Sequence, residues 1–201
     1  MNLIVIKVID TIIRKCKQPL WLVYNFILFK IQNISYLDFP KIRGYILVNN
    51  RGLIIIGKEC VITSSRKGNP VGNCDDSALY CSSGGRIQIG DNVGMSNTLL
   101  FSQQSIIIED YVMLGGGVQI WDTDFHPMDL NDRIIHDISK INTKPVLLKE
   151  GCFIGANSII LKGVTIGENS IIAAGSIVSK SVPKNEIWGG NPAKFIKPLT
   201  S

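Results

Sequence analysis

The sequence is short of histidine, with only two in 201 residues, and poor in charge, with 18% Asp, Glu, Lys and Arg. A zinc centre built on histidine ordinarily asks more of one chain. The five cysteines (Cys16, Cys60, Cys74, Cys81 and Cys152) are odd in number, and no two stand in CxxC spacing. That argues against a disulfide framework and a cysteine zinc site, and fits reduced thiols in the cytoplasm. GxGxxG, Walker, GxSxG and HExxH motifs are all missing, which removes the common dinucleotide, P-loop, serine-hydrolase and zincin readings. The net charge is +5, but no run of four basic residues occurs and no aromatics interleave the basic ones. Nucleic acid is therefore not an expected partner. Long hydrophobic runs are missing too. The longest uncharged apolar stretch, Leu20–Phe29, has ten residues, about half of what a membrane-spanning helix needs. The apolar start has no basic n-region and no small-residue cleavage site, so a signal peptide is a weak reading and two short helices fit better.

What is present is a repeat. Between Leu148 and Pro183 an aliphatic residue recurs every sixth position: Leu148, Ile154, Ile160, Ile166, Ile172 and Val178. Three places after each comes Gly151, Asn157, Gly163, Asn169, Gly175 or Ser181. One place further stands Cys152, Ser158, Val164, Ser170, Ser176 or Val182, all small or β-branched. Six fits neither a helical face nor one long alternating strand. It fits a short strand, a corner and another short strand, which is the hexapeptide β-helix. The aliphatic points inward and stacks on its equivalents, each worth roughly 1.5–3 kcal/mol when buried. Gly and Asn tolerate the left-handed backbone that a corner requires.

In chain order, residues 1–40 read as an N-terminal segment with two short helices, Leu3 to Ile13 and Leu20 to Phe29. They are expected to pack on the end of the solenoid or on a neighbouring subunit. Trp21, Tyr24 and flanking Lys and Arg give a second use, a peripheral membrane contact. Residues 41–183 read as the β-helix, with a first hexad at Ile56 and Ile62. The stretch Ser64–Gly85, rich in Ser, Gly, Asn and Asp, reads as an irregular loop. Hexads resume at Ile89, Met95 and Phe101. They continue one residue out of phase at Ile108, Leu114 and Ile120, which places a single-residue insertion near Ser102–Ser105. A polar loop, 122–147, then interrupts the repeat and holds both histidines. Residues 184–201 form a tail.

Insertions in a solenoid map to loops on one face, often the binding face. The loop opens with Asp122-Thr123-Asp124-Phe125-His126-Pro127. A neutral imidazole at His126 can take a proton from a hydroxyl or amine nucleophile. Asp122 or Asp124 can fix its tautomer and stabilise the cation that forms. His136 lacks such a setting and reads as structural or solvent-exposed.

The stretches IIIEDYVMLGGGVQIWDTDFHP and FIGANSIILKGVTIGENSIIAAGSIVSKSVPKNEIWGGNPAKFIK closely resemble the hexapeptide-repeat acyltransferases, in particular maltose, galactoside and polysaccharide O-acetyltransferases. The resemblance covers about Ile87 to Lys197. It implies an all-β fold, a single-stranded left-handed parallel β-helix, working as a homotrimer with acetyl-CoA in a groove between subunits and no metal. His126 falls at the position of the general base. Asn97, with Trp121, falls on the acceptor side. Phe153, Ala156, Ala174, Ser179 and Lys180 would line the cofactor groove, with Lys194 and Lys197 available to the nucleotide phosphates. Ala156 stands where some relatives carry serine. The two tail lysines stand where arginine is frequent, and they lack its bidentate fork. A zinc-dependent hydratase is also built on such repeats, but its three-histidine site cannot come from His126 and His136 within one chain.

The expected activity is acetyl transfer from acetyl-CoA to a sugar hydroxyl, of a surface polysaccharide or its precursor, in the cytoplasm or at the inner face of the membrane. The alternatives are an N-acyltransferase on an amino sugar, a serine acetyltransferase, and a non-catalytic β-helix scaffold.

Overall fold

The computed structural model describes residues 20–65, 68–71 and 76–200. Its strands stack into three parallel sheets, as in a left-handed β-helix. Sheet A contains Ser35–Tyr36, Leu53–Ile56, Arg86–Ile89, Ile106–Ile108, Val146–Leu148 and Thr165–Ile166. Sheet B contains Lys41–Gly44, Val61–Ser64, Gly94–Ser96, Met113–Leu114, Phe153–Ile154 and Ile171–Ile172. Sheet C contains Leu47–Asn50, Ala78–Cys81, Leu99–Ser102, Gln119–Trp121, Ile159–Ile160 and Ile177–Val178. Each coil passes from A to B to C, and the core is the column of side chains between the three sheets.

The C-terminal coils follow the repeat. Leu148, Ile154, Ile160, Ile166, Ile172 and Val178 all point inward and are buried. Gly151, Asn157, Gly163, Asn169 and Gly175 have φ between 58° and 77°, the left-handed corners that the spacing demands. Ser181 is not left-handed; its hydroxyl instead accepts from the Thr165 N–H at 3.0 Å. The small residue after the aliphatic has a packing reason. A Cβ on Gly155 would lie 2.4 Å from the Ala174 backbone nitrogen of the next coil.

The middle coils depart from the repeat in three places. Ala78–Cys81 is a regular strand of sheet C with Leu79 and Cys81 inside, so the irregular insert is narrower than Ser64–Gly85 and ends before Ala78. Phe101 faces outward, contrary to the hexad count, because Leu100 and Ser102 on the same strand take the two inward positions. The phase change is also not one simple insertion. From buried Met95 to buried Leu100 is five residues, where Ile154 to Ile160 is six. From Leu100 to Ile108 is eight, where Ile160 to Ile166 is six. The B/C corner at Asn97 is thus one residue short, and the C/A corner at 103–105 is two residues long.

The solenoid is closed at both ends. A helix over residues 20–31 caps the first coil through buried Asn25 and Phe29. The Asn25 amide donates to Gly44 O at 2.8 Å and accepts from Ile46 N at 3.3 Å. Phe29 lies 5.3 Å from the Phe39 ring centroid and 6.2 Å from that of Tyr36. Ser35–Tyr36 already pairs with Ile55–Ile56, so the first sheet begins ahead of residue 41. The outer side of the helix exposes Leu20, Val23, Ile27 and Ile31. Among the described residues no helix is long and apolar enough to cross a membrane. The expected helix over Leu3–Ile13 lies outside the described residues. At the other end, Glu186–Gly190 adds to sheet B beside Ile171–Ile172 and turns back through Ala193–Pro198. This hairpin covers the last edge of the sheet, where bare backbone groups would otherwise invite another strand.

Candidate active site

The loop leaves sheet C after Trp121 and returns to sheet A at Val146. Its base is clamped by a Thr123–Thr143 bridge and by Lys144 N–H donating to Asp122 O at 2.9 Å. Inside it, Leu130–Ile134 forms a short helix whose first turn is capped by the Asp129 carboxylate. Arg133 donates to Pro127 O at 3.1 Å, tying that helix back to the start of the loop.

Asp122 has a different job from the one expected of it. Ile120 points inward, and two residues on Asp122 does the same and is fully buried. Its Oδ1 accepts from Gln103 N at 2.8 Å; its Oδ2 accepts from Ser102 Oγ at 2.8 Å, Gln104 N at 2.8 Å and Ser105 N at 2.6 Å. These are the backbone donors left bare by the two extra residues of the C/A corner. Both carboxylate oxygens are thereby committed to the corner, and neither bonds His126.

Asp124 stands on the outer side of the same edge. Its Oδ1 pairs with Lys162 Nζ at 2.8 Å, with about a quarter of each side chain still exposed. The His126 backbone N–H donates to Asp124 O at 2.7 Å, forming a tight turn across Phe125, whose φ is 63°. The imidazole is exposed and makes no hydrogen bond among the described residues. Pro127 beside it is buried and anchors the turn. Phe125 folds back over sheet C, its ring 4.9 Å from Phe101 and 5.8 Å from Trp121, edge to face. His136 is exposed at the far end of the loop helix.

Asn97 is a corner residue. It is fully buried with φ of 48°. Its Oδ1 accepts from Ser65 N at 3.0 Å and its Nδ2 donates to Asn69 O at 3.1 Å. The side chain expected at the acceptor thus holds the irregular insert at 65–69 against the solenoid. That insert also reaches the glycine corner of the next coil, where a Cβ on Gly116 would strike Val71 O.

Five of the seven residues expected at the cofactor share one flank. Phe153 projects outward from sheet B, in register with Met113. Lys194 and Lys197 are exposed on the hairpin that extends the same sheet. Ala156 and Ala174 stack along the adjoining B/C corner, where Gly175 N–H donates to Ala156 O at 2.8 Å. A groove of about 720 Å³ runs over sheet B past Val61, Thr63, Gly94, Met113 and Phe153. Gly94 opens its floor; a Cβ there would meet only Met113 Cγ, at 3.8 Å. Ser179 and Lys180 are exposed on the C/A side, along with Asp124 and Lys162. Within one chain, no hydrogen bond or ring contact links His126, Asp124 or Trp121 to Asn97, Phe153, Ala156 or Ala174.

Lys162 was not foreseen, although a signal exists. Lys144, Lys162 and Lys180 are spaced eighteen residues apart, one full coil, and therefore form a column on the C/A edge. Among the described residues no thiol takes part. Cys60, Cys81 and Cys152 are buried and free. Burial pushes all three thiols up, Cys152 to about 12.

A family model described as the hexapeptide repeat of succinyl-transferase matches residues 145–180. A Saccharomyces cerevisiae protein named as a putative acetyltransferase is 35% identical over 136 residues, spanning 65% of this chain and 67% of the relative. The chain belongs to the hexapeptide-repeat acetyltransferases. One solved member of this family, the acetyltransferase of Vibrio cholerae O1 biovar eltor complexed with acetyl coenzyme A, is 31% identical. That alignment covers 62% of this chain and 69% of the Vibrio chain, with a TM-score of 0.54. A galactoside acetyltransferase in complex with coenzyme A is 26% identical, over 70% of this chain and 66% of the other, also with a TM-score of 0.54.

Proposed function

We propose that this hexapeptide-repeat acetyltransferase moves an acetyl group from acetyl-CoA to a sugar hydroxyl of a surface polysaccharide or its precursor, with His126 as general base. The observation that carries the reading is the placement of His126. It is an exposed imidazole, without a hydrogen bond among the described residues, on a tight turn where a long loop interrupts the coils, two residues after an aspartate paired with Lys162. The imidazole takes the hydroxyl proton as the oxygen attacks the thioester carbonyl. The coenzyme A thiolate leaves and takes that proton from the imidazolium. Asp124 is the orienting carboxylate, because Asp122 has no acceptor site to spare. In this reading a neutral base, a free hydroxyl and the thioester suffice, and no metal enters.

Acetyl-CoA fits the flank formed by sheet B and the B/C corner. There Phe153 offers an apolar face to the pantetheine arm, and Lys194 and Lys197 offer charge to the phosphates. The base and this flank lie on different sides of sheet C, so one chain alone does not assemble the site. A homotrimer, in which the C/A edge of one protomer meets the B/C flank of the next, supplies both halves.

The test is incubation of the protein with labelled acetyl-CoA and a panel of sugars and lipid-linked oligosaccharides. Label released by mild alkali marks an oxygen ester and supports the reading. Alkali-stable label on an amino sugar would replace it with N-acylation.

A further inference from the structure

The helix over residues 20–31 carries more apolar surface than the end of the solenoid covers. Asn25 and Phe29 face the first coil and are buried. On the opposite side Leu20, Val23, Ile27 and Ile31 form a stripe at helical spacing, each more than half exposed. Leu22, Tyr24 and Phe26 are exposed as well, and Trp21 is half-buried. Lys30 is the only charged residue of the helix. Its ammonium lies 5.7 Å from the Phe26 ring centroid and 5.9 Å from that of Tyr36.

A helix that is apolar on every side is ordinarily buried, and a contiguous exposed apolar patch marks an interaction surface. The proposed homotrimer does not bury this stripe. Its protomers meet along edges that run the length of the solenoid, whereas the stripe points away from the solenoid's end. A three-fold axis parallel to the solenoid therefore leaves the stripe bare and brings three of them level at one end. Charge indicates what meets it. The sequence has no Asp or Glu between Asp10 and Asp38, but it has Arg14, Lys15, Lys17 and Lys30 there. Lys17 is three residues ahead of Leu20, a tether of at most about 11 Å. Aliphatic anchors, a neighbouring Trp and Tyr, and a single basic sign suit the headgroup region of an anionic bilayer.

We propose that this stripe is a peripheral docking surface for an anionic phospholipid membrane. The helix lies flat on the bilayer, with Leu20, Val23, Ile27 and Ile31 entering the boundary of the acyl chains and Lys30 at the phosphates. The solenoid stands where a free interfacial helix would turn its polar face to water. Three level stripes act together, so a weak contact per chain suffices. The docking does not depend on which acceptor is acetylated; for a lipid-linked precursor it would hold enzyme and acceptor on one surface.

The test is flotation of the full-length protein with vesicles of pure phosphatidylcholine and with vesicles of an equal mixture of phosphatidylcholine and phosphatidylglycerol. The mixed vesicles are expected to bind it at least about fivefold more tightly, the effect of one basic residue near an anionic surface. High salt should erase that preference. The double variant Val23→Glu/Ile27→Glu, altered only on exposed side chains, is expected to lower partition at least about tenfold. The lipid and salt comparisons use the wild type and stand even if the double variant does not fold. Failure of the wild type to float, equal binding to both vesicles, or undiminished partition of the folded double variant would overturn the docking surface. So would a wild-type assembly larger than that of the folded double variant, which would assign the stripe to a contact between copies. Because no acyl transfer is measured, a negative result here leaves the O-acetylation experiment free to succeed, and the reverse also holds.

Discussion

The coils from Val146 to Val178 and those from Arg86 to Trp121 share the same three sheets but treat their corners differently. In the first group each inter-sheet step is six residues, and left-handed Gly or Asn makes the turn. In the second group one corner is short, one is long, and one opens into a loop. The short and the long corner are each held by a buried polar side chain, Asn97 and Asp122 respectively. Buried polar groups are expensive unless hydrogen-bonded. Here they mark where the repeat is deformed, and the proposed base His126 hangs from such a deformation rather than from the regular coils.

The contrast can be broken from either side. The largest change in stability is expected from the regular coils. Ile172→Ala removes a buried column member and should lower unfolding free energy by about 2–5 kcal/mol in denaturant titrations. A loss near zero would mean that these coils are not the frame. Next comes the irregular corner. Asp122→Ala strands three backbone N–H groups, each costing about 1–3 kcal/mol if left dry. With water reaching part of the corner, a loss of about 2–3 kcal/mol is expected, accompanied by lost turnover. Asp124→Ala should lose turnover while moving stability by less than about 1 kcal/mol, as befits a partly exposed ion pair. If the two aspartates behaved alike, their division of labour would be wrong.

Smaller effects follow from single corners and thiols. Gly163→Ala places a Cβ at φ of 77° and should cost about 1–2 kcal/mol by the same denaturant assay. The thiol prediction concerns alkaline pH. Burial raises Cys152 from an ordinary 9.0 to about 12, so the folded state resists forming the thiolate. The stability linked to the neutral thiol is complete below pH 9 and is lost as pH rises from 9 towards 12. Cys60 and Cys81 shift in the same direction. Unfolding free energy should therefore fall on alkalisation, and Cys152→Ala should flatten part of that decline.

The fold was legible wherever the period was clean. Six constrained hexads define the inward column and five of its corners, because spacing alone decides which side of a two-residue strand faces in. Counting failed at Phe101, where a corner shortened at Asn97 shifts the phase and strand alternation then turns the ring outward. The direction of Asp122 was within reach, since it lies two residues after inward Ile120, just past the end of that strand. Lys162 was equally accessible through its eighteen-residue spacing from Lys144 and Lys180. The fold-back of Phe125 onto sheet C was not. It depends on a left-handed backbone at a phenylalanine, a conformation local sequence disfavours and tertiary contacts impose. Nor could a repeat count reveal that Asn97 is spent on the 65–69 insert, a contact across 32 residues of chain.

The central claim is that the frame and the chemistry reside in different parts of this chain, and His126→Ala tests it most directly. The variant should keep the wild-type unfolding midpoint and oligomeric state while turnover with acetyl-CoA and a sugar acceptor falls at least about a hundredfold, the lower range for loss of a general base. Turnover within a few-fold of wild type in the folded variant would contradict it.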